Sequence, residues 1–254
     1  MIGIMAAMDE ELHRIVAMLS NKSVEQVGRK TVTTGNLNNH QVAVVFSGWG
    51  KVASASTATM LIERYKIKQL LFTGVAGAIS TQINIGDIII GQSFVQHDMD
   101  CAGVLGIKRF ELPLLSVTEI LSDAKLQEIA YQAASEYLAE DLFQDVLSEE
   151  LTSLEIDKPT IYQGQIASGD QFIASHDKQQ ELKSALPDLL AVEMEGAAVA
   201  QVAFEYDLPF IVIRIISDNA NHDSMIDFPR FIDQVASHFT AGIINRMLNQ
   251  NFRN

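Results

Sequence analysis

From Phe210 to Ile216 the chain reads Phe-Ile-Val-Ile-Arg-Ile-Ile, an apolar run broken only by Arg214. A strand that is apolar at nearly every position, without alternation, is a strand covered on both faces. It requires a layer of structure above the sheet and another below, which is the plan of an α/β protein. Arg214 tightens the constraint. A charge inside a buried strand is costly unless it is paired, so an acid must wait nearby. The run ends in Ser217-Asp218, and just upstream Ala191-Val-Glu-Met-Glu-Gly supplies Glu193 and Glu195. Residues two apart point to nearly opposite sides of a helix but share a side of an extended chain. The expected geometry is therefore a strand ending near Glu193 and a helix starting near Glu195. That helix buries Met194, Ala197, Ala198 and Val202 at spacings of three and four, and Asp207-Leu-Pro209 stops it. Ligands of open α/β sheets sit beyond the carboxyl ends of the strands, so three acids converge where a ligand is expected. Each acid alone has a simpler explanation, as a first-turn charge favoured by the helix dipole or as a helix cap.

The remaining chain repeats the alternation of strand and helix. Ile2 to Ala6 is a short apolar strand, and Met8-Asp-Glu-Glu11 opens a helix with Leu12, Ile15, Val16 and Leu19 on one face. Glu11 thus lies just past a strand end, as Asp218 does. Lys30 to Thr34 and Gln41 to Phe46 read as a hairpin, followed by Ser47-Gly-Trp-Gly-Lys51 and a helix to about Lys66. A glycine-rich turn between strand and helix can present N–H groups to a ligand, but the spacing is not that of a phosphate loop. Trp49 is equally suited to core and to a ligand wall. Leu70 to Thr73 is the next strand. Gly74-Val-Ala-Gly-Ala78 after it lacks the GxGxxG pattern, so no dinucleotide is expected. Ile88 to Gly91 follows as a strand. His97, Asp98, Asp100 and Cys101 mix hard and soft ligands at no recognised metal spacing. Ala102 to Ser116 reads as a long loop of the kind found at functional sites or interfaces. Asp123 to Leu138 is helical. The stretch 140–158 carries Glu140, Asp141, Asp145, Glu149, Glu150, Glu155 and Asp157 with no base before Lys158, and is expected as a solvated acidic excursion. Thr160 to Ala167 is a strand leading into Ser168-Gly-Asp-Gln-Phe-Ile173, and Asp177 to Leu186 is a helix. Asn219 to Asp227 is a polar loop, and Phe228-Pro229 opens the last helix, with proline at a favoured first position.

Composition removes several classes of function. The 254 residues, 48% hydrophobic, suit one large domain spanning 1–254. A formal net charge of −14 disfavours a nucleic-acid backbone or an anionic membrane surface as partner. The single cysteine cannot form an internal disulfide, which suits a reducing cytoplasm. The acidic N-terminus is no signal peptide, and no apolar run approaches the ~20 residues of a membrane span.

Seven segments occur in an order that resembles a known family: Gly3-Ile-Met-Ala-Ala-Met-Asp-Glu-Glu11, Ser47-Gly-Trp-Gly-Lys-Val, Thr73-Gly-Val-Ala-Gly, Ile85-Gly-Asp-Ile, Ser168-Gly-Asp-Gln-Phe-Ile, Val192-Glu-Met-Glu-Gly and Arg214-Ile-Ile-Ser-Asp218. The chain resembles the bacterial 5′-methylthioadenosine/S-adenosylhomocysteine nucleosidases of the purine and uridine phosphorylase superfamily, from residue 2 to about residue 248. The resemblance implies a single-domain three-layer α/β/α fold with a central mixed twisted sheet. It implies hydrolysis of the N-glycosidic bond of a 5′-thio-substituted adenosine, releasing adenine, with no metal or organic cofactor. It also implies a homodimer.

The resemblance further assigns roles. Asp218 protonates N7 of the adenine. An ordinary Asp, with a pKa near 3.9, would be ionised, and burial and neighbouring charge are the means to raise it. Glu11 orients and deprotonates water, and Arg214 holds Glu11 and that water. Glu195 binds the ribose hydroxyls with help from Glu193, and Met194 packs under the sugar. Phe172 stacks on adenine, and the Ile173 backbone reads its edge. Met8, Trp49 and Phe228 line the 5′-alkylthio pocket. Cys101 and Pro113 fall in the loop that reaches a neighbouring subunit's site. Val75 stands where many relatives carry Ser, and Trp49 replaces a smaller aliphatic. Methylthioadenosine, S-adenosylhomocysteine, 5′-deoxyadenosine and 6-amino-6-deoxyfutalosine all remain open as substrates. A nucleoside phosphorylase and a non-catalytic nucleoside-binding module are the competing readings.

Overall fold

Ten strands form one mixed sheet in the computed structural model, which describes residues 1–218 and 228–249. In chain order the strands are β1 (Ile2–Ala6), β2 (Ser20–Val27), β3 (Lys30–Leu37), β4 (His40–Phe46), β5 (Gln69–Ala78), β6 (Ile88–Gln96), β7 (Ile120–Leu121), β8 (Ile161–Ser168), β9 (Leu189–Glu193) and β10 (Phe210–Asp218). The sheet closes partly on itself. β5 runs parallel to β1 and β10, and its end meets β9 antiparallel at Gly77–Val192 and Ala78–Ala191. β10 pairs with β6, β6 with β8 and β8 with β9. These five strands therefore make a ring, and β1, β4, β3 and β2 extend from it as a wing.

Helices cover both faces. α1 (Asp9–Ala17), α3 (Ala124–Glu140) and α9 (Ser237–Asn249) pack on one side, where Ile15, Leu126 and Phe239 meet Ile211, Ile213 and Ile215. α2 (Lys51–Tyr65) and α7 (Gly196–Glu205) pack on the other, where Leu61 and Val199 meet Phe72, Val212 and Ile216. The alternation along β10 is the two-residue period of a strand, and it explains why both sets are apolar. α4 (Leu142–Asp145), α5 (Ser148–Ser153), α6 (His176–Ala185) and α8 (Phe228–Phe231) complete the helices. α8 passes through a π segment, Ile232–Ala236, into α9. Among the described residues no helix is long and apolar enough to cross a membrane.

Most expected elements appear within two or three residues of their places. Three differ. Gly74 to Ala78 continues β5 instead of leaving it. A Cβ at Gly74 would stand 2.8 Å from the Ala7 Cβ and 3.0 Å from Arg214 Nη1, so this glycine makes room for the guanidinium on the neighbouring strand. The acidic excursion is not simply solvated: α4, α5 and their flanks bury Leu142, Val146, Leu151 and Ile156. Its acids are held by bases from elsewhere, Glu140 and Asp141 by Arg246 and Glu150 by Arg230. Finally, β2 is an exposed edge strand of polar residues, with no apolar alternation to announce it. The polar loop expected over 219–227 lies outside the described residues.

Candidate active site

β5, β9 and β10 end together, and a cavity of about 320 Å³ opens beyond them. Its walls include Ala7 and Met8 from the turn after β1, Trp49 from the turn after β4, and Val75, Ala76 and Gly77 from the end of β5. Gln171, Phe172 and Ile173 come from the turn after β8, Val192 to Glu195 from the β9–α7 junction, Ser217 and Asp218 from β10, and Phe228 from α8. The expected residues Met8, Trp49, Val75, Phe172, Ile173, Glu193, Met194, Glu195, Asp218 and Phe228 thus share one hollow. No lysine, arginine or histidine appears among its described lining residues.

The two acids at the β9–α7 junction do different work. Glu193, the last residue of β9, accepts hydrogen bonds from the N–H groups of Glu195 (3.1 Å) and Gly196 (2.8 Å), from the Ser168 hydroxyl, and from Arg214 Nη2 at 2.6 Å. Its carboxylate satisfies the open N-terminus of α7, which would otherwise leave donors unpaired. Glu195 is the cap residue of α7 and turns into the cavity. Its Oε1 accepts the Gly50 N–H at 2.8 Å. Burial, with the negative charge of Glu193 beside it, raises its pKa to about 7.

Arg214 is fully buried, and Glu193 is its ion-pair partner. Its guanidinium also lies over the Phe72 ring, 4.2 Å from the centroid, a favourable stacking for arginine. Arg214 makes no direct hydrogen bond to Glu11 and acts on it through its charge, which pulls the Glu11 pKa down. The alternation of β10 directs Arg214 to the α2/α7 side, with Val212 and Ile216, where Glu193 stands. Glu193 is in turn engaged by this pairing and by α7, and it also lines the cavity.

Glu11 stands in the first turn of α1, directly after the cavity-lining Met8 turn. It has no solvent exposure. Its Oε2 accepts the Met8 N–H at 3.3 Å and its Oε1 the Thr240 hydroxyl at 3.1 Å. Thr240 and Thr73 share a further hydrogen bond of 3.0 Å. Burial pushes the Glu11 pKa up to about 7, against the pull of the Arg214 charge. Asp218 faces the cavity from the end of β10, where its Oδ2 accepts the Ser217 hydroxyl at 2.7 Å.

Trp49 is held between two glycines of positive φ, Gly48 and Gly50, a conformation that favours residues without a Cβ. Its indole N–H donates to Ala7 O at 3.2 Å, which fixes the ring against the wall. Trp49 and Phe172 stay largely exposed at the mouth, at 68% and 58%. Cys101 and Pro113 do not reach the cavity of their own chain. They lie in the segment between β6 and β7, which also exposes Leu105 and Leu114 almost completely. Sequence reasoning missed Thr240 and the Gly50 N–H. A threonine on the apolar face of the last helix was a usable signal. The N–H carries no signal in a side-chain pattern.

A family profile described as the phosphorylase superfamily matches residues 1–249. A 5′-methylthioadenosine/S-adenosylhomocysteine nucleosidase of Staphylococcus aureus (strain bovine RF122 / ET3-1) is 35% identical over 236 residues, covering 93% of this chain and 94% of that protein. Among solved structures, the corresponding nucleosidase of S. pneumoniae, determined with the transition-state inhibitor MT-ImmA, superposes with a TM-score of 0.83 at 35% identity, covering 98% of both chains. Futalosine hydrolase of Helicobacter pylori superposes with a TM-score of 0.83 at 29% identity, over 98% of this chain and 97% of that one.

Proposed function

The chain belongs to the phosphorylase superfamily and, within it, to the 5′-methylthioadenosine/S-adenosylhomocysteine nucleosidases, and we propose that it hydrolyses the N-glycosidic bond of 5′-thio-substituted adenosines to adenine and a thioribose. One observation carries the choice of hydrolysis over phosphorolysis. The cavity presents carboxylates, with no cationic side chain among its described lining residues. The one arginine behind it is already paired with Glu193. A phosphate nucleophile would meet repulsion there, whereas a water needs only a base.

The chemistry follows from what adenine and ribose require. Adenine leaves poorly until a ring nitrogen is protonated, and the sugar develops oxocarbenium character as in other glycoside hydrolyses. Asp218, facing the cavity from a strand end, is the proposed donor to N7. Glu195 accepts hydrogen bonds from the ribose hydroxyls, and its negative charge favours the cationic sugar. Glu11 accepts the proton of the attacking water. Its pKa near 7 is close to the optimum for a base working near neutrality. Phe172 offers a ring face to the purine. Met8, Trp49 and Phe228 form an apolar end suited to an alkylthio group. The futalosine hydrolase likeness supports 6-amino-6-deoxyfutalosine as a second substrate reading.

The test is direct. Methylthioadenosine incubated with the protein in phosphate-free buffer is expected to release free adenine at the rate seen with phosphate. A strict phosphate requirement would make the protein a phosphorylase, and binding without adenine at any pH would make it a binding module.

A further inference from the structure

Three strand-end turns meet beside the cavity, and one polar knot joins them. Lys51, the first residue of α2, donates its backbone N–H to Asp170 Oδ1 at 2.8 Å. Its ammonium reaches Asp98 Oδ1 at 2.6 Å and Gln96 Oε1 at 3.1 Å. Asp98 Oδ2 accepts the backbone N–H of Asp170 at 2.9 Å, closing the circuit. The ammonium and Asp98 are both mostly shielded, with side-chain exposures of 17% and 20%. Burial disfavours the charged form of Asp98, but Lys51 and the Asp170 N–H more than offset it and hold its carboxyl below the usual range. None of the three residues lines the cavity.

Asp170 is one residue from the cavity lining, and Lys51 and Asp98 are each one residue from a group packed against the turns that carry it. Lys51 follows Gly50, whose N–H holds Glu195. Gly50 has φ +85, and a Cβ there would sit 2.8 Å from Asp170 Oδ1, so the Asp170 carboxylate is pressed against the Gly50 backbone at this point. Asp170 precedes Gln171, Phe172 and Ile173, which line the cavity. Asp98 follows His97, whose ring lies where a Cβ on Gly169 would be, 2.3 Å from the nearest ring atom. Gln96 passes the connection to α7 through Gln201 at 2.7 Å.

We propose that Lys51, Asp98 and Asp170 are positioning residues, a clamp that keeps the Gly50 N–H on Glu195 and the Phe172 wall at a fixed distance from it. The clamp acts on turnover through Glu195, not by holding the fold together. The proposal rests on the nucleosidase reading, and wild-type adenine release tests that reading by itself; the ratio of variant to wild type tests the clamp. Opening it releases Gly50, and Glu195 loses an N–H that favours its charged form. Hydrogen bonds to the ribose hydroxyls strengthen in the transition state, so the loss falls on kcat more than on KM.

The experiment compares Lys51→Met, Asp98→Asn and the conservative Lys51→Arg, by adenine release from methylthioadenosine across pH 5 to 9, with melting temperatures of the same samples. Lys51→Met and Asp98→Asn are expected to lower kcat by about tenfold or more, as a small displacement of a catalytic geometry does. The acid limb of kcat/KM moves to higher pH, and the melting temperature stays within about 3 °C of wild type, as surface-pair losses permit. Lys51→Arg keeps the cation and recovers part of the rate. Unchanged kcat with an unmoved acid limb overturns the clamp. So does a loss of activity that tracks a fall in melting temperature, because that would be damage to the fold.

Discussion

Glu11 is a fully buried carboxyl whose proton is held well above the ordinary range. An unfolded chain releases its proton near the ordinary 4.5, while the folded protein keeps it to about 7. Between those values the folded state binds more protons than the unfolded one, so stability falls as pH rises through the interval. The shift corresponds to on the order of 3 kcal/mol lost above pH 7. Glu11→Gln removes this loss and keeps an amide oxygen for the Met8 N–H or Thr240. Its melting temperature is expected to exceed that of wild type at pH 8, with the gap closing toward pH 4.5, while adenine release all but disappears. A parallel pair of melting curves against pH would refute the buried-charge account. Asp218→Asn tests the other end of the reaction. It is expected to keep affinity for a non-hydrolysable nucleoside analogue within a few fold and to lower kcat by roughly 10²–10⁴, the usual worth of a general acid. Near wild-type turnover would assign the N7 proton elsewhere.

At the scale of elements, the site is a product of strand ends more than of loops. The β9–α7 junction was readable before the structure, because an apolar strand, a carboxylate pair and a helix-forming run follow one another without a break. What the pattern could not fix was the partner of Arg214. That depends on which side of β10 the guanidinium leaves and on the register that brings β9 to the end of β5, both properties of the sheet and not of the local sequence. Gly74 shows the same limit. It reads as the start of a turn, yet its role is to leave space for a side chain 140 positions later on the adjoining strand, Arg214. The Asp98 motif posed a metal question from its residue types alone, and the structure gives Asp98 a lysine and a backbone N–H instead.

For the whole molecule, the layered α/β plan was legible because β10 is apolar at nearly every position and strands alternate with helices along the chain. The contact between Glu11 and Thr240 was not, since 229 positions separate them and only the packing of α1 on α9 joins them. The assembly state is a proposal at this scale. Leu105 and Leu114, both in the segment between β6 and β7, stand 96% and 102% exposed, and Val52 on α2 stands at 82%; large aliphatic side chains left this bare are candidates for cover by a partner. A homodimer covering this surface is expected, and sedimentation equilibrium at micromolar concentration checks it. A monomer mass there would leave the segment between β6 and β7 without its proposed partner.

The strand that closes the ring, β10, is also the last one synthesised. It brings Arg214 and Asp218, so Glu193 has no counter-charge until residue 214 leaves the ribosome. A nascent chain shorter than this exposes the apolar borders of β5 and β6, the kind of unpaired edge that invites aggregation and chaperone capture. The hollow is therefore completed in a late event, when more than four-fifths of these 254 residues have already been made.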